Sequence, residues 1–260
     1  MTVVEPVLEA YPVEGFGLWP VARFEPWSFM PLSGALAPAE VGTAVMAIAA
    51  CNDIDPGPDD GRPPRPADPL QGFLHGLLTM GDLFAPGGLR VRDTATGAVL
   101  VPGCCSGLDE RRDWYEVTDG EGRAGFGHDP SPLAERVGGT ARLTADADRD
   151  GGPVIELPVA ELRRLLAGAE RDLAAFLRSA AAWAAVHLPG HAGPVTSALA
   201  RALDLPPPAA APGSSEASTS PTPSAKASSP AAAPSTSPPS PACPPSKWPS
   251  ASPQPEHPAS

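Results

Sequence analysis

The feature that most constrains the fold is an abrupt change of composition at Pro206. From Pro206 to Ser260 almost every residue is Pro, Ala, Ser or Thr, and large apolar side chains are nearly absent. Such a segment cannot bury enough apolar surface to offset the entropy that is lost on ordering. We therefore predict one folded domain over residues 1–205, followed by a disordered, extended tail over residues 206–260.

Charge restricts the partners of this domain. The chain has 30 Asp and Glu residues against 18 Lys and Arg residues, which gives a formal net charge of −12. The tail carries Glu216 and Glu256 against Lys226 and Lys247, so the whole excess belongs to residues 1–205. Nucleic acid requires clustered Lys and Arg, and here the arginines are scattered. We therefore expect no nucleic-acid binding, whereas a basic protein partner fits the charge.

Neither a membrane span nor a secretory signal is expected. The longest apolar run, AVMAIAAC at residues 44–51, is far shorter than the ~20 residues that cross a bilayer. The first residues, MTVVEPVLEA, lack the basic segment of a secretory signal. Four cysteines are too few for a disulfide scaffold in a chain of 260 residues. These features predict a cytoplasmic protein that does not enter membranes.

The hydrophobic periodicity predicts an α+β fold in which antiparallel hairpins pack against helices. Strand patterns flank the turns at residues 94–97 and 146–152. Prolines interrupt the aromatic residues 1–34, which favours short edge strands or an irregular wrap there. The strongest helical pattern starts at Pro158, ends before Pro189 and carries one apolar stripe that includes Leu173. Further helices are predicted over residues 38–51, from Asp68 to about 78, over 108–117 and over about 194–204.

The segment Gly103-Cys104-Cys105-Ser106-Gly107 has the G-x-C-x-G spacing of a nucleophile elbow. An elbow needs a central parallel strand before the nucleophile, whereas this segment follows the second arm of a hairpin. Pro102 also removes a backbone donor where an elbow strand still pairs. We therefore favour a turn that leads into a helix capped by Ser106, and keep Cys105 as a candidate nucleophile.

The adjacent thiols allow two other interpretations, redox chemistry and metal binding. Consecutive Cα atoms lie ~3.8 Å apart, closer than the usual disulfide separation, so a vicinal bridge is strained. The pair lacks C-x-x-C spacing, and His128 would have to join it from a distant loop. We therefore expect neither a metal nor another cofactor.

Two loops offer further candidates. GFGHDPSP at residues 125–132 places His128 beside Asp129, a pairing suited to a general base but also to a simple turn. DADRDG at residues 146–151 matches half of a calcium-binding EF-hand loop, but position twelve is Leu157 instead of Glu. We predict a hairpin turn without calcium.

The run from Leu83 to Trp114, with GHDPSP and residues 155–177, resembles a family of uncharacterised actinobacterial cytosolic proteins marked by a G-C-C-x-G-L…W motif. The resemblance implies no activity. By analogy with small acidic α+β proteins, we expect a non-enzymatic module that binds a protein partner, for example as an immunity protein does. The alternative is a small enzyme with a site centred on Cys105 or His128, assisted by Asp129 or Asp109.

Overall fold

The computed structural model describes residues 1–207, which form two four-stranded antiparallel sheets and five α-helices. The predicted α+β class, with antiparallel hairpins packed against helices, is confirmed. The prediction of a disordered tail falls, from residue 208 onward, outside the described residues. The elements are β1 (Thr2–Ala10), β2 (Ser28–Pro31), α1 (Pro38–Cys51), α2 (Pro69–Thr79), β3 (Gly87–Asp93), β4 (Val99–Leu100), α3 (Trp114–Thr118), β5 (Arg123–Gly125), β6 (Leu133–Val137), β7 (Thr140–Thr144), β8 (Val154–Pro158), α4 (Val159–His187) and α5 (Ala192–Ala202).

The first sheet has the strand order β2-β1-β3-β4, so β1 is a central strand. The expectation of edge strands or an irregular wrap in residues 1–34 is therefore wrong for β1, which contains Pro6. The ladder with β2 begins only at Val7, opposite Pro31, and the Pro6 carbonyl accepts a hydrogen bond from the Leu32 amide at 2.8 Å on that side. The missing N–H of Pro6 lies on the same side as this carbonyl, so it faces the end of the ladder and interrupts no bond between the paired residues of β1 and β2.

The second sheet has the order β5-β6-β7-β8 and shows the alternation of a half-buried sheet. In β8, Ile155 and Leu157 are buried, and in β7 Ala141 and Leu143 are buried opposite them. The hairpin predicted around residues 146–152 is therefore confirmed. Strands β5 and β6 were not predicted, because they are short and lie among turn-forming residues.

Helix α4 joins two hydrophobic clusters. Its first half places Leu162 and Leu166 in a cluster with the second sheet, and its second half places Leu173 and Phe176 in a cluster with the other long helices. These four side chains are all at most 2% exposed, as the apolar stripe predicted. One helix of 29 residues, ~44 Å long, thereby braces both halves of the fold.

A buried arginine fixes the end of α5 against α4. The Arg111 side chain is 3% exposed and forms an ion pair with Glu170 at 3.0 Å. It also donates to the carbonyl oxygens of Leu108 at 2.9 Å, Leu203 at 2.7 Å and Asp204 at 3.0 Å. Five donors in a planar fork suit this set of acceptors, so Arg111 ties three segments together.

Candidate functional site

The site lies on a connecting segment that bridges the two sheets. Gly107 forms an isolated antiparallel bridge with Pro86, just before β3, and Cys104 forms another with His128, just after β5. Residues 103–108 are thus held between the start of β3 and the end of β5. Any group carried by this segment has a fixed position relative to both sheets.

Close backbone approach brings the cysteines to the histidine. The Gly103 amide donates to the Phe126 carbonyl at 2.8 Å, and the Cys104 amide donates to the His128 carbonyl at 2.6 Å. A Cβ atom on Gly103 would lie 2.2 Å from the Pro130 carbonyl oxygen and 2.5 Å from the His128 amide nitrogen. Gly127, at φ +89°, leaves equally little room against Cys104. Glycine at both positions is therefore what allows the two segments to meet.

Three soft or borderline ligand atoms converge at this bridge. The Cys104 and Cys105 sulfurs are 3.3 Å apart. These sulfurs and a ring nitrogen of His128 all lie within 4.8 Å of one another. Cys104 is half-buried, whereas Cys105 and His128 are exposed, so the group opens to solvent on one side. Metal binding at the cysteines required His128 to join them from a distant loop, and the structure places His128 beside them.

The backbone around the thiols is constrained. Cys105 has φ +66° and Asp129 has φ +50°, both in the left-handed region that residues other than glycine seldom occupy. The two glycines of this segment, Gly103 and Gly107, have no positive φ. The strained backbone angle in this turn belongs to Cys105, whose side chain is exposed.

Asp129 orients the imidazole. Its Oδ2 lies 3.2 Å from Nδ1 of His128, and both side chains are largely exposed. A carboxylate at Nδ1 favours the tautomer that carries the proton there, which leaves the Nε2 lone pair available. Of the predicted site residues, Cys105, His128 and Asp129 are thus neighbours. Cys104, which the sequence analysis considered only together with Cys105 as a redox or metal-binding pair, completes the group.

The electrostatic environment disfavours a free thiolate at Cys104. Burial, followed by the hydrogen bond and charge of Cys105 and by the negative charges of Glu9 and Asp129, raises the pKa of the Cys104 thiol to about 11. Burial also raises the pKa of the Glu9 carboxyl. Cys104 is therefore a neutral thiol near pH 7, the opposite of an activated nucleophile.

The helix after the cysteines differs from the prediction. Instead of one helix over residues 108–117 capped by Ser106, a 3-10 turn runs over Asp109–Asp113 and α3 follows over Trp114–Thr118. Ser106 makes no capping hydrogen bond to the turn. Strand β4 is antiparallel to β3, so the segment lacks the parallel strand of a nucleophile elbow.

The DADRDG segment forms the turn between β7 and β8. Asp146 accepts from the backbone amides of Ser131 at 3.3 Å and Asp148 at 3.2 Å. The Ser131 hydroxyl donates to Asp148 at 2.5 Å. Asp146 and Asp148 thus hydrogen-bond to Ser131 in the loop that carries His128, and the bond from the Asp148 amide to Asp146 is that of an Asx turn.

Comparisons with protein-family models, with curated proteins and with solved structures gave no match. The resemblance noted in the sequence therefore adds no residue role to this site. Within residues 1–207, no helix combines the length and the apolar character that a bilayer span requires.

Proposed function

We propose that Cys104, Cys105 and His128 bind a thiophilic divalent cation of the zinc class. The observation that carries the proposal is the convergence of two sulfurs and an imidazole nitrogen within 4.8 Å. Thiolate and imidazole ligands select zinc and other soft or borderline ions over magnesium and calcium, which prefer oxygen. A backbone bridge joins Cys104 to His128, and Cys105 adjoins Cys104, so little backbone ordering is required when an ion binds.

The distances support this assignment. With bonds of ~2.3 Å to sulfur and ~2.0 Å to nitrogen, a tetrahedral ion holds two sulfurs about 3.8 Å apart and a sulfur and a nitrogen about 3.6 Å apart. The Cys104 and Cys105 sulfurs start at 3.3 Å, so they need to separate by only about 0.5 Å. The largest separation in the group, at most 4.8 Å, needs to close by about 1 Å. Side-chain rotation covers both changes.

Three protein ligands leave the fourth tetrahedral position to water or another small ligand. That position faces solvent, because Cys105 and His128 are exposed. An open position of this kind distinguishes exchangeable or catalytic ions from purely structural ones. Asp129, whose Oδ2 lies 3.2 Å from His128 Nδ1, acts as the outer partner that orients the ring.

A competition titration tests the proposal. Zinc is added to the full chain in the presence of a chromophoric chelator, after thiol reduction and metal removal. We expect one zinc per chain, and losses in Cys105→Ser and His128→Ala greater than the roughly 10- to 100-fold that removal of an outer partner costs. His191→Ala, which changes a histidine far from the cysteines, is the control and leaves the affinity unchanged. Equal affinities for all four proteins would contradict the proposal.

A Cys105-centred enzyme is the second candidate. It is favoured by the exposure of Cys105 at a strained φ beside the His128–Asp129 pair. Iodoacetamide labelling followed by peptide mapping tests it. Labelling confined to Cys105 and much faster than that of glutathione would support a nucleophile, whereas labelling at the rate of a free thiol excludes one.

The predicted non-enzymatic role, an acidic module that binds a basic protein in the manner of an immunity protein, also stays a prediction. The net charge of −12 supports it. A cytoplasmic location stays a prediction as well. Affinity capture at low and high salt tests the predicted basic protein partner, because a charge-driven complex dissociates as salt rises.

A further inference from the structure

A cleft separates the outer edge of β4 from the turn that joins β7 to β8. One part, with a volume of ≈510 Å³, is lined by Val99 and Val101 on the first side and by residues 149–153 on the second. A neighbouring part of ≈470 Å³ extends it past Pro130 to Asp129 and Asp148. Both parts share Pro130, Asp146 and Arg149, so they form one continuous groove.

The β4 side of this groove is a free strand edge. Strand β4 is the last strand in the order β2-β1-β3-β4. The Asp93 amide donates to the Ala98 carbonyl at 2.9 Å, which makes Asp93 and Ala98 a hydrogen-bonded pair. Hydrogen-bonded and non-hydrogen-bonded pairs alternate along an antiparallel ladder. Val99, opposite Arg92, therefore directs its N–H and C=O away from β3, toward the groove.

The walls combine apolar surface with negative charge. Val99 and Val101, together with Pro130, Ala145 and Pro153, supply the apolar part. The carboxylates along the groove belong to Asp129, Asp146, Asp148 and Asp150, and Arg149 is the single basic side chain among its lining residues. The charge of the groove thus complements a basic ligand that also has aliphatic surface.

We propose that this groove binds an extended, basic segment of a protein partner, which adds a strand to the free edge of β4. Strand addition satisfies the outward N–H and C=O groups of Val99, and lysine or arginine side chains reach the carboxylates. Alternation along the added strand directs every second side chain toward the apolar wall. This inference does not rest on the metal proposal, because Cys104, Cys105 and His128 do not line the groove and only Asp129 borders both sites.

The chain's own sequence after residue 207 is a poorer occupant. It has only two basic residues, and its frequent prolines lack the N–H donors that a ladder needs. Nucleic acid is repelled by the carboxylates. A protein segment with alternating basic and β-branched residues meets both requirements.

Fluorescence anisotropy with the full chain tests the proposal. The probe is a labelled peptide in which lysine or arginine alternates with valine, and the matched controls are the same peptide with glutamate for the basic residues and with N-methylated backbone nitrogens. We expect the basic peptide to bind at least tenfold more tightly than either control. Added salt should weaken this binding. Binding of the glutamate peptide with equal affinity, or of the N-methylated peptide with equal affinity, would overturn the proposal.

Variants of the chain locate the binding. Val99→Pro removes the outward N–H and should abolish binding, whereas Val99→Thr keeps it and should retain binding. Asp150→Asn should weaken binding, and Arg149→Ala should strengthen it because the only base in the groove is removed. Cys105→Ser should have no effect, which separates this result from the fate of the metal site. Unchanged binding in both Asp150→Asn and Arg149→Ala would contradict a basic partner. So would a finding that the chain forms a dimer and that Val99→Pro abolishes this dimer.

Discussion

Gly103 offers the sharpest test of how the fold builds the thiol–imidazole group. In Gly103→Ala the new Cβ meets the Pro130 carbonyl oxygen at 2.2 Å and the His128 amide nitrogen at 2.5 Å. Normal contact requires the two segments to separate by about 1 Å. Three hydrogen bonds cross this contact, from Gly103 N to Phe126 O and in both directions between Cys104 and His128.

The expected cost follows from these contacts. Overpacking of this kind costs about 1–3 kcal/mol, and each hydrogen bond that opens costs about 1 kcal/mol. With one of the three bonds opened, we therefore expect Gly103→Ala to lower the free energy of unfolding by about 2–4 kcal/mol. The same separation moves His128 away from the sulfurs, so zinc affinity should fall at least tenfold, or about 1.4 kcal/mol.

Urea denaturation and zinc competition measure the two effects on the same samples. Gly139→Ala is the matched control, because a Cβ on Gly139 meets nothing within 4 Å and its φ is not positive. We expect it to alter stability by less than about 0.5 kcal/mol and zinc affinity not at all. Zinc binding by Gly103→Ala that is as tight as that of the unaltered chain would refute the role assigned to the apposed segments.

Four further predictions follow from the packing and the charges. Arg111→Ala should cost about 3 kcal/mol in urea denaturation, because it leaves buried acceptors unpaired, whereas Arg112→Ala, 64% exposed, should cost less than about 0.5 kcal/mol. Leu173→Ala, at a fully buried position, should cost roughly 2–5 kcal/mol and the exposed Arg171→Ala little; equal midpoints would mean that the stripe is not the buried face. Asp68→Ala should cost about 1 kcal/mol, since Asp68 accepts from the Gln71 amide at 2.8 Å as the N-cap of α2, and no shift in the midpoint would argue against that cap. Zinc affinity should rise with pH, because the Cys104 thiol has a pKa of about 11 and must release its proton on binding, and titrations at several pH values should show a shallower rise for Cys104→Ser.

Local sequence signals were sufficient for much of the fold. The turn residues 94–97 and 146–152 stand between strand patterns, and the apolar stripe of α4 repeats over many turns. Asp68 and Pro69 marked the start of α2 correctly. These elements are set by short-range periodicity and capping, so tertiary contacts were not needed to infer them.

The remaining features depend on contacts that the sequence does not display. Pro6 argued against a central strand, but the register shows that its nitrogen faces the end of the ladder with β2, which starts at Val7 opposite Pro31. His128 lies 23 residues after Cys105, with no spacing that signals a shared ligand. Their proximity results from the bridge between Cys104 and His128, which two glycines permit. The Gly-rich sequences around both segments were the available signal, and they do not specify a partner.

X-ray absorption at the zinc edge, on the full chain loaded with one equivalent of zinc, identifies the atoms that bind the ion and so tests the proposed site at Cys104, Cys105 and His128. We predict that the zinc is bound directly by two sulfurs at ~2.3 Å and one imidazole nitrogen at ~2.0 Å, with one further light atom. In Cys105→Ser one sulfur should be lost from this set of ligands, and in His128→Ala the imidazole contribution should disappear. A set of ligands made only of oxygen and nitrogen atoms, or one unchanged by either substitution, would contradict a metal site at Cys104, Cys105 and His128.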